Sequence, residues 1–167
     1  MKLFKLTALS LLLFGFTVGI TSCVKNDETK KVTNYQKGGI PLTSAQEYNP
    51  ANTSSAIGSL NVFYSKETKI LTYSFNWSGL TGPVTAFRIH GLAPTGYATP
   101  VVVQTLATAS IVRCPTFLTT VCGSYSGTLL VDGVVVKEED LLNGNYYVNI
   151  VTATYPGGEI RGQIIFQ

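Results

Sequence analysis

The chain has 167 residues, few charged side chains (13%) and a formal charge of +3. Removing residues 1–22 takes away Lys2 and Lys5, which leaves 10 basic against 9 acidic side chains, a charge of about +1. With no basic stripe, nucleic acid is excluded as the expected partner, and the remaining length, roughly 145 residues, suits one domain with a proper core.

The N-terminus reads as an export signal. Lys2 and Lys5 form a short positive region, and Leu6 to Ile20 is an uncharged apolar run. That order marks a secretory signal rather than a domain element, and the run is short for a spanning helix. Ile20-Thr21-Ser22-Cys23 follows. Small residues at Thr21 and Ser22 let a peptidase reach the backbone, and Cys23 supplies a thiol for a diacylglycerol. This segment resembles the lipobox of bacterial lipoproteins. The resemblance implies cleavage before Cys23, lipidation of Cys23 and a membrane partner through the N-terminal lipid. The implied location is the cell envelope, on the periplasmic or outer surface of the outer membrane. Residues 23–39 are then the lipidated cysteine and a flexible, Lys-rich tether, and residues 40–167 the folded domain.

From Ile40 onward, short alternating runs are separated by turn residues every 8–12 positions, the pattern of an all-β sandwich or barrel. Gly, Thr, Ser, Val and Tyr are abundant, as β structure favours. Strands are expected at Ile40–Glu47, Ser59–Tyr64 and Ile70–Trp77, the last two forming a hairpin around Ser65–Lys69. In the third run Leu71, Tyr73, Phe75 and Trp77 fall on one face. Val84–His90 and Val101–Leu106 are further strands. Cys114 and Cys122 bracket a loop. Outside the cytoplasm such a pair is expected to form a disulfide; the competing use, a metal pair, lacks further Cys or His ligands to complete a tetrahedral set. Tyr125–Val131 and Val134–Lys137 flank Asp132-Gly133, a hairpin signal. Glu138–Asn143 is one helical turn stopped by Gly144. Asn145–Thr154 and Glu159–Phe166 close the domain around the turn Tyr155–Gly158.

Several of these segments together resemble the CHRD domain, found in chordin and in many microbial exported proteins. Leu42 to Glu47 looks like that family's opening motif, and Gly79-Leu80 with Val84–Gly91 like its central Ile-His-Gly strand. Asp140–Gly144 and Tyr147-Val148-Asn149 look like the segment before the last hairpin, and Tyr155–Gln163 is the most specific match. The resemblance covers about residues 40–167 and implies a Greek-key-like antiparallel β-sandwich. Many members carry a His-x-His pair in the central strand and a further His in the penultimate one. Here Arg88 and Val151 stand at two of those positions, and His90 is the single histidine of the chain.

A copper or zinc centre of the kind found in superoxide dismutase needs three or four imidazole, thiolate or carboxylate ligands, so no metal and no cofactor is expected. His90 reads first as a structural histidine. Glu159, Arg161 and Gln163 alternate with Ile160, Gly162 and Ile164, giving the last strand one polar face. Glu47, Arg88, His90, Glu159 and Arg161 form the candidate polar patch, either a register-fixing network or a small binding surface for a protein or glycan. No P-loop, nucleophile elbow or diagnostic carboxylate pair is present. The expected function is a non-enzymatic binding or structural module; the competing one is a metal-dependent redox enzyme on a dismutase-like sandwich.

Overall fold

A computed structural model describes residues 34–48 and 52–167. The expected signal peptide, Cys23 and residues 24–33 of the expected tether lie outside the described residues. Among the described residues the fold is nearly all β, with nine antiparallel strands in one curled sheet. The strands β1 (Tyr35–Thr43), β2 (Ile57–Ser65) and β3 (Ile70–Ser78) are successive neighbours. The chain then crosses to the far edge for β4 (Val84–Gly91) and β5 (Val102–Leu106). It returns beside β3 for β6 (Val112–Arg113) and β7 (Gly123–Leu130). A second crossing, through the short helix α1 (Glu138–Leu142), places β8 (Tyr146–Thr152) and β9 (Ile160–Gln163) between β4 and β1.

The Greek-key-like sandwich is therefore built from one continuous sheet. β1 and β9 meet through a single pair, Thr43 with Arg161, and at this seam the sheet turns back on itself. Phe87 on β4 then packs against Phe75 and Trp77 on β3 and Tyr125 on β7, at 5.3, 5.0 and 5.4 Å between ring centroids. The alternation along β3 holds: Leu71, Tyr73, Phe75 and Trp77 are all buried. Each such side chain contributes roughly 1.5–3 kcal/mol by leaving water, and together they form the centre of the core with Phe87, Ile89, Val148 and Ile150.

Four segments depart from expectation: the strand expected over Ile40–Glu47 ends at Thr43, where Ser44–Gln46 turn as a 3-10 helix. β1 begins at Tyr35, so residues 35–39, read as tether, are strand. Their polarity hid this, because this stretch pairs with β2 through its backbone while most of its side chains face water. Gly38 and Gly39 form a bulge there, with Gly39 at φ +70°. Val134–Lys137 is not a strand. The Asp132 carboxylate accepts hydrogen bonds from the backbone N–H groups of Val134, Val135 and Val136 at 2.9–3.0 Å. That turn consumes the donors a hairpin partner would have used. Finally, β9 stops at Gln163 and is buried on both faces, including its polar one.

Elsewhere the local signals hold. α1 ends with Gly144 in the left-handed region at φ +72°. The Cys114–Cys122 disulfide forms, with Cα atoms 5.5 Å apart. Its loop docks onto the sheet: the Trp77 indole N–H donates to Thr120 O at 2.9 Å, and the Val84 N–H to Thr120 Oγ1 at 2.8 Å.

Candidate functional site

The register of β4, β8 and β9 sets out the polar residues of their outer face in rows. Arg88 lies opposite Asn149, and Asn149 opposite Arg161; His90 lies opposite Tyr147, and Tyr147 opposite Gln163. Side chains two apart share a face, so these six residues stand together. The segment 92–101 folds across this face. Arg161 donates to the carbonyl oxygens of Tyr97 (2.6 Å) and Pro94 (3.3 Å), and to Gln163 Oε1 at 2.6 Å. Gln163 Nε2 in turn donates to the carbonyls of Ala93 and Gly144. The Tyr147 hydroxyl donates to the Thr99 carbonyl at 3.3 Å.

Tyr147 occupies the middle of a stack. The His90 ring lies parallel to it, 5.0 Å away. The Arg161 guanidinium lies over the same ring at 3.6 Å, a cation–π contact in a dry setting. Arg161 is 1% exposed, and burial lowers its pKa from the ordinary arginine value, opposed by Tyr147 and Glu47.

Beside the stack lies an open hollow of about 410 Å³. Glu47, Tyr48, Arg88, His90, Tyr147 and Asn149 are among its lining residues. Glu47 follows the 3-10 turn Ser44–Gln46 that comes after β1, and its Oε2 accepts from Asn149 Nδ2 at 3.4 Å. The other Asn149 Nδ2 bond goes to the Gly157 carbonyl at 3.0 Å. A side chain at Gly158 would strike both Glu47 Oε1 and Asn149 Oδ1 within 2.6 Å, so glycine keeps this approach open. Burial raises the Glu47 pKa from 4.5 to about 7, against the pull of the Arg161 charge. Burial and then the Arg88 charge lower the pKa of His90, against a weaker upward effect of hydrogen bonding to the backbone at Val101 and Thr99; these backbone contacts fall short of well-formed hydrogen bonds.

What marks this face is its unspent hydrogen-bonding capacity. Buried polar groups nearly always have partners. Here Glu47 Oε1, Asn149 Oδ1, Arg161 Nε and both ring nitrogens of His90 are buried without a hydrogen bond. His90 is 7% exposed and Asn149 2% exposed. A hollow of about 460 Å³ on the outer face of β1–β3, lined by Gln36, Asn61, Phe63, Thr72 and Ser74, carries no such atoms.

Of the residues grouped from sequence, the structure brings Glu47, Arg88 and His90 to one hollow, with Arg161 behind Tyr147. Glu159 stands apart. Its carboxylate accepts from Ser54 Oγ (2.7 Å), Thr81 N (2.8 Å), Thr81 Oγ1 (3.0 Å) and Thr152 Oγ1 (2.6 Å). It is fully buried and knots three loops together. Tyr147 and Asn149 entered the sequence reading only within the family motif and not in the candidate patch, and Tyr48 not at all. The period-2 spacing of Tyr147 and Asn149 was visible, but their pairing with β4 was not.

The residues present do not fit a dismutase-like metal centre. His90 is the chain's one imidazole, Val151 and Arg88 offer no ligand, and among the described residues no three His, Cys, Asp or Glu side chains come together to hold an ion. No match was found among curated proteins or solved structures. The family model of the CHRD domain matches residues 39–164, most of the chain and all the strands of this face, and the chain belongs to the CHRD-domain family.

Proposed function

We propose that the protein is a lipid-anchored cell-envelope module whose CHRD domain binds a ligand and performs no catalysis. It is held at the outer membrane through Cys23, with the tether presenting the domain to the periplasm or the cell exterior. The observation that supports binding is the hollow beside Glu47, His90 and Asn149. Residues that line it carry buried donors and acceptors without hydrogen-bond partners. Leaving a buried polar group unpaired costs about 1–3 kcal/mol, a cost the fold bears at several atoms on one face.

A catalytic reading needs a nucleophile or an acid–base pair in mutual reach, or a metal. Elemental analysis of the full chain, purified after growth with copper and zinc, tests this directly. The proposal predicts far less than one metal ion per chain. One copper or zinc per chain, lost in His90→Ala, would replace it with a metal-dependent redox activity.

A further inference from the structure

We infer that the hollow takes a neutral, hydroxyl-rich ligand, a saccharide unit seated against Tyr48 and read by Glu47, His90 and Asn149. This rests on the hollow being a binding site. The chemistry of the unpaired atoms selects the class. Asn149 Oδ1 accepts only, and needs a donor. The neutral imidazole of His90 has one donor and one acceptor nitrogen, neither in a well-formed hydrogen bond, with the backbone of Val101 and Thr99 beside the ring. Glu47 Oε1 needs a donor when ionised and an acceptor when protonated, and with its pKa at about 7 it visits both states near neutrality. A hydroxyl donates and accepts at once, so adjacent hydroxyls satisfy this mixed set. A carboxylate or a fully ionised phosphate ester offers no donor to Asn149, and any anion meets the Glu47 carboxyl. A cation meets Arg88 at the wall and Arg161 behind the stack.

The aromatic groups agree. Tyr48 stacks on Tyr97 at 6.4 Å with an interplanar angle of 19°. These rings are 53% and 64% exposed, large apolar surface left in water at the hollow's rim. The C–H face of a sugar ring carries a slight positive charge and lies favourably on the electron-rich face of a tyrosine. The hollow's volume of about 410 Å³ lies in the range of small-ligand sites, and its open mouth suits a unit within or at the end of a longer glycan.

The single histidine makes the test clean. In NMR of the full chain in detergent, the imidazole C–H signal belongs to His90 alone. Titration with neutral oligosaccharides of glucose, galactose, mannose and N-acetylglucosamine is expected to shift that signal saturably. Tyr48→Ala should weaken the binding about tenfold, as loss of one ring contact implies. Phe63→Ala, on the outer face of β2, should leave it unchanged. A shift produced by inorganic phosphate or zinc, and by no sugar, overturns the saccharide assignment while the hollow stands as a ligand site. A sugar-induced shift unaffected by Tyr48→Ala overturns the seating. No shift with any of the three kinds of probe overturns the assignment and the binding reading together.

Discussion

Glu47 and Glu159 are both carboxylates drawn under the loops of the same half-sheet, and their surroundings give them different roles. Glu159 accepts four hydrogen bonds and is part of the scaffold. Glu47 has one long bond from Asn149 and a free oxygen. The folded protein holds the Glu47 proton up to about pH 7, whereas the unfolded chain releases it near 4.5. Between those values the folded state binds more protons, so this group makes stability fall as pH rises. Its contribution is on the order of 2 kcal/mol, after allowance for partial exposure to water. His90 acts in the opposite sense, because its pKa is lowered on folding. Comparison of wild type with Glu47→Gln cancels that effect. Urea melts at pH 5 and pH 8 should show the variant gaining stability relative to wild type at the higher pH. An equal pH dependence in both proteins would show that Glu47 titrates normally.

At the scale of elements, what was legible depended on whether local pattern or distant contact governed the segment. β3 was legible because Leu71, Tyr73, Phe75 and Trp77 carry its whole inward face. The Val134–Lys137 stretch was not, because one side chain, Asp132, redirects three backbone donors. The polar face of β9 was legible as a register-fixing network or a small binding surface, but not its partners: it is buried because residues 93–97, some 65 residues earlier, supply carbonyl partners. The disulfide was legible from compartment and parity. Its loop spans eight positions in sequence, and closing so short a loop stabilises by about 2–3 kcal/mol on chain-entropy grounds. Thiol titration of the unfolded, unreduced protein should find no free thiol from Cys114 or Cys122. The Cys114→Ala/Cys122→Ala variant should lose about that stability. Two titratable thiols would contradict the bridge.

For the whole molecule, the sequence announced the family and three residues of the hollow, Glu47, Arg88 and His90. It named Tyr147 and Asn149 only as part of a family motif and hid their place beside His90, which depends on β4–β8 pairing across more than 50 residues of chain. The proposed anchoring is a separate property, resting on the resemblance of residues 20–23 to a lipobox. Two or three acyl chains, at about 0.8 kcal/mol per buried methylene, hold a protein stably on a bilayer. Fractionation should therefore find the protein with membranes and the Cys23→Ser variant without lipid label. Equal palmitate labelling of both would contradict lipidation at Cys23.

His90 serves either the fold or a ligand. His90→Phe keeps an aromatic ring against Tyr147 and removes the two unpaired nitrogens. Chemical denaturation of the two proteins at pH 7 is the most direct measurement. Replacing an unsatisfied buried polar group by an apolar one of similar shape is neutral or stabilising, so the variant is predicted to be at least as stable as the wild type. A loss of about 2 kcal/mol or more would show that the His90 nitrogens are hydrogen-bonded for the sake of the fold, and would contradict their assignment to a ligand.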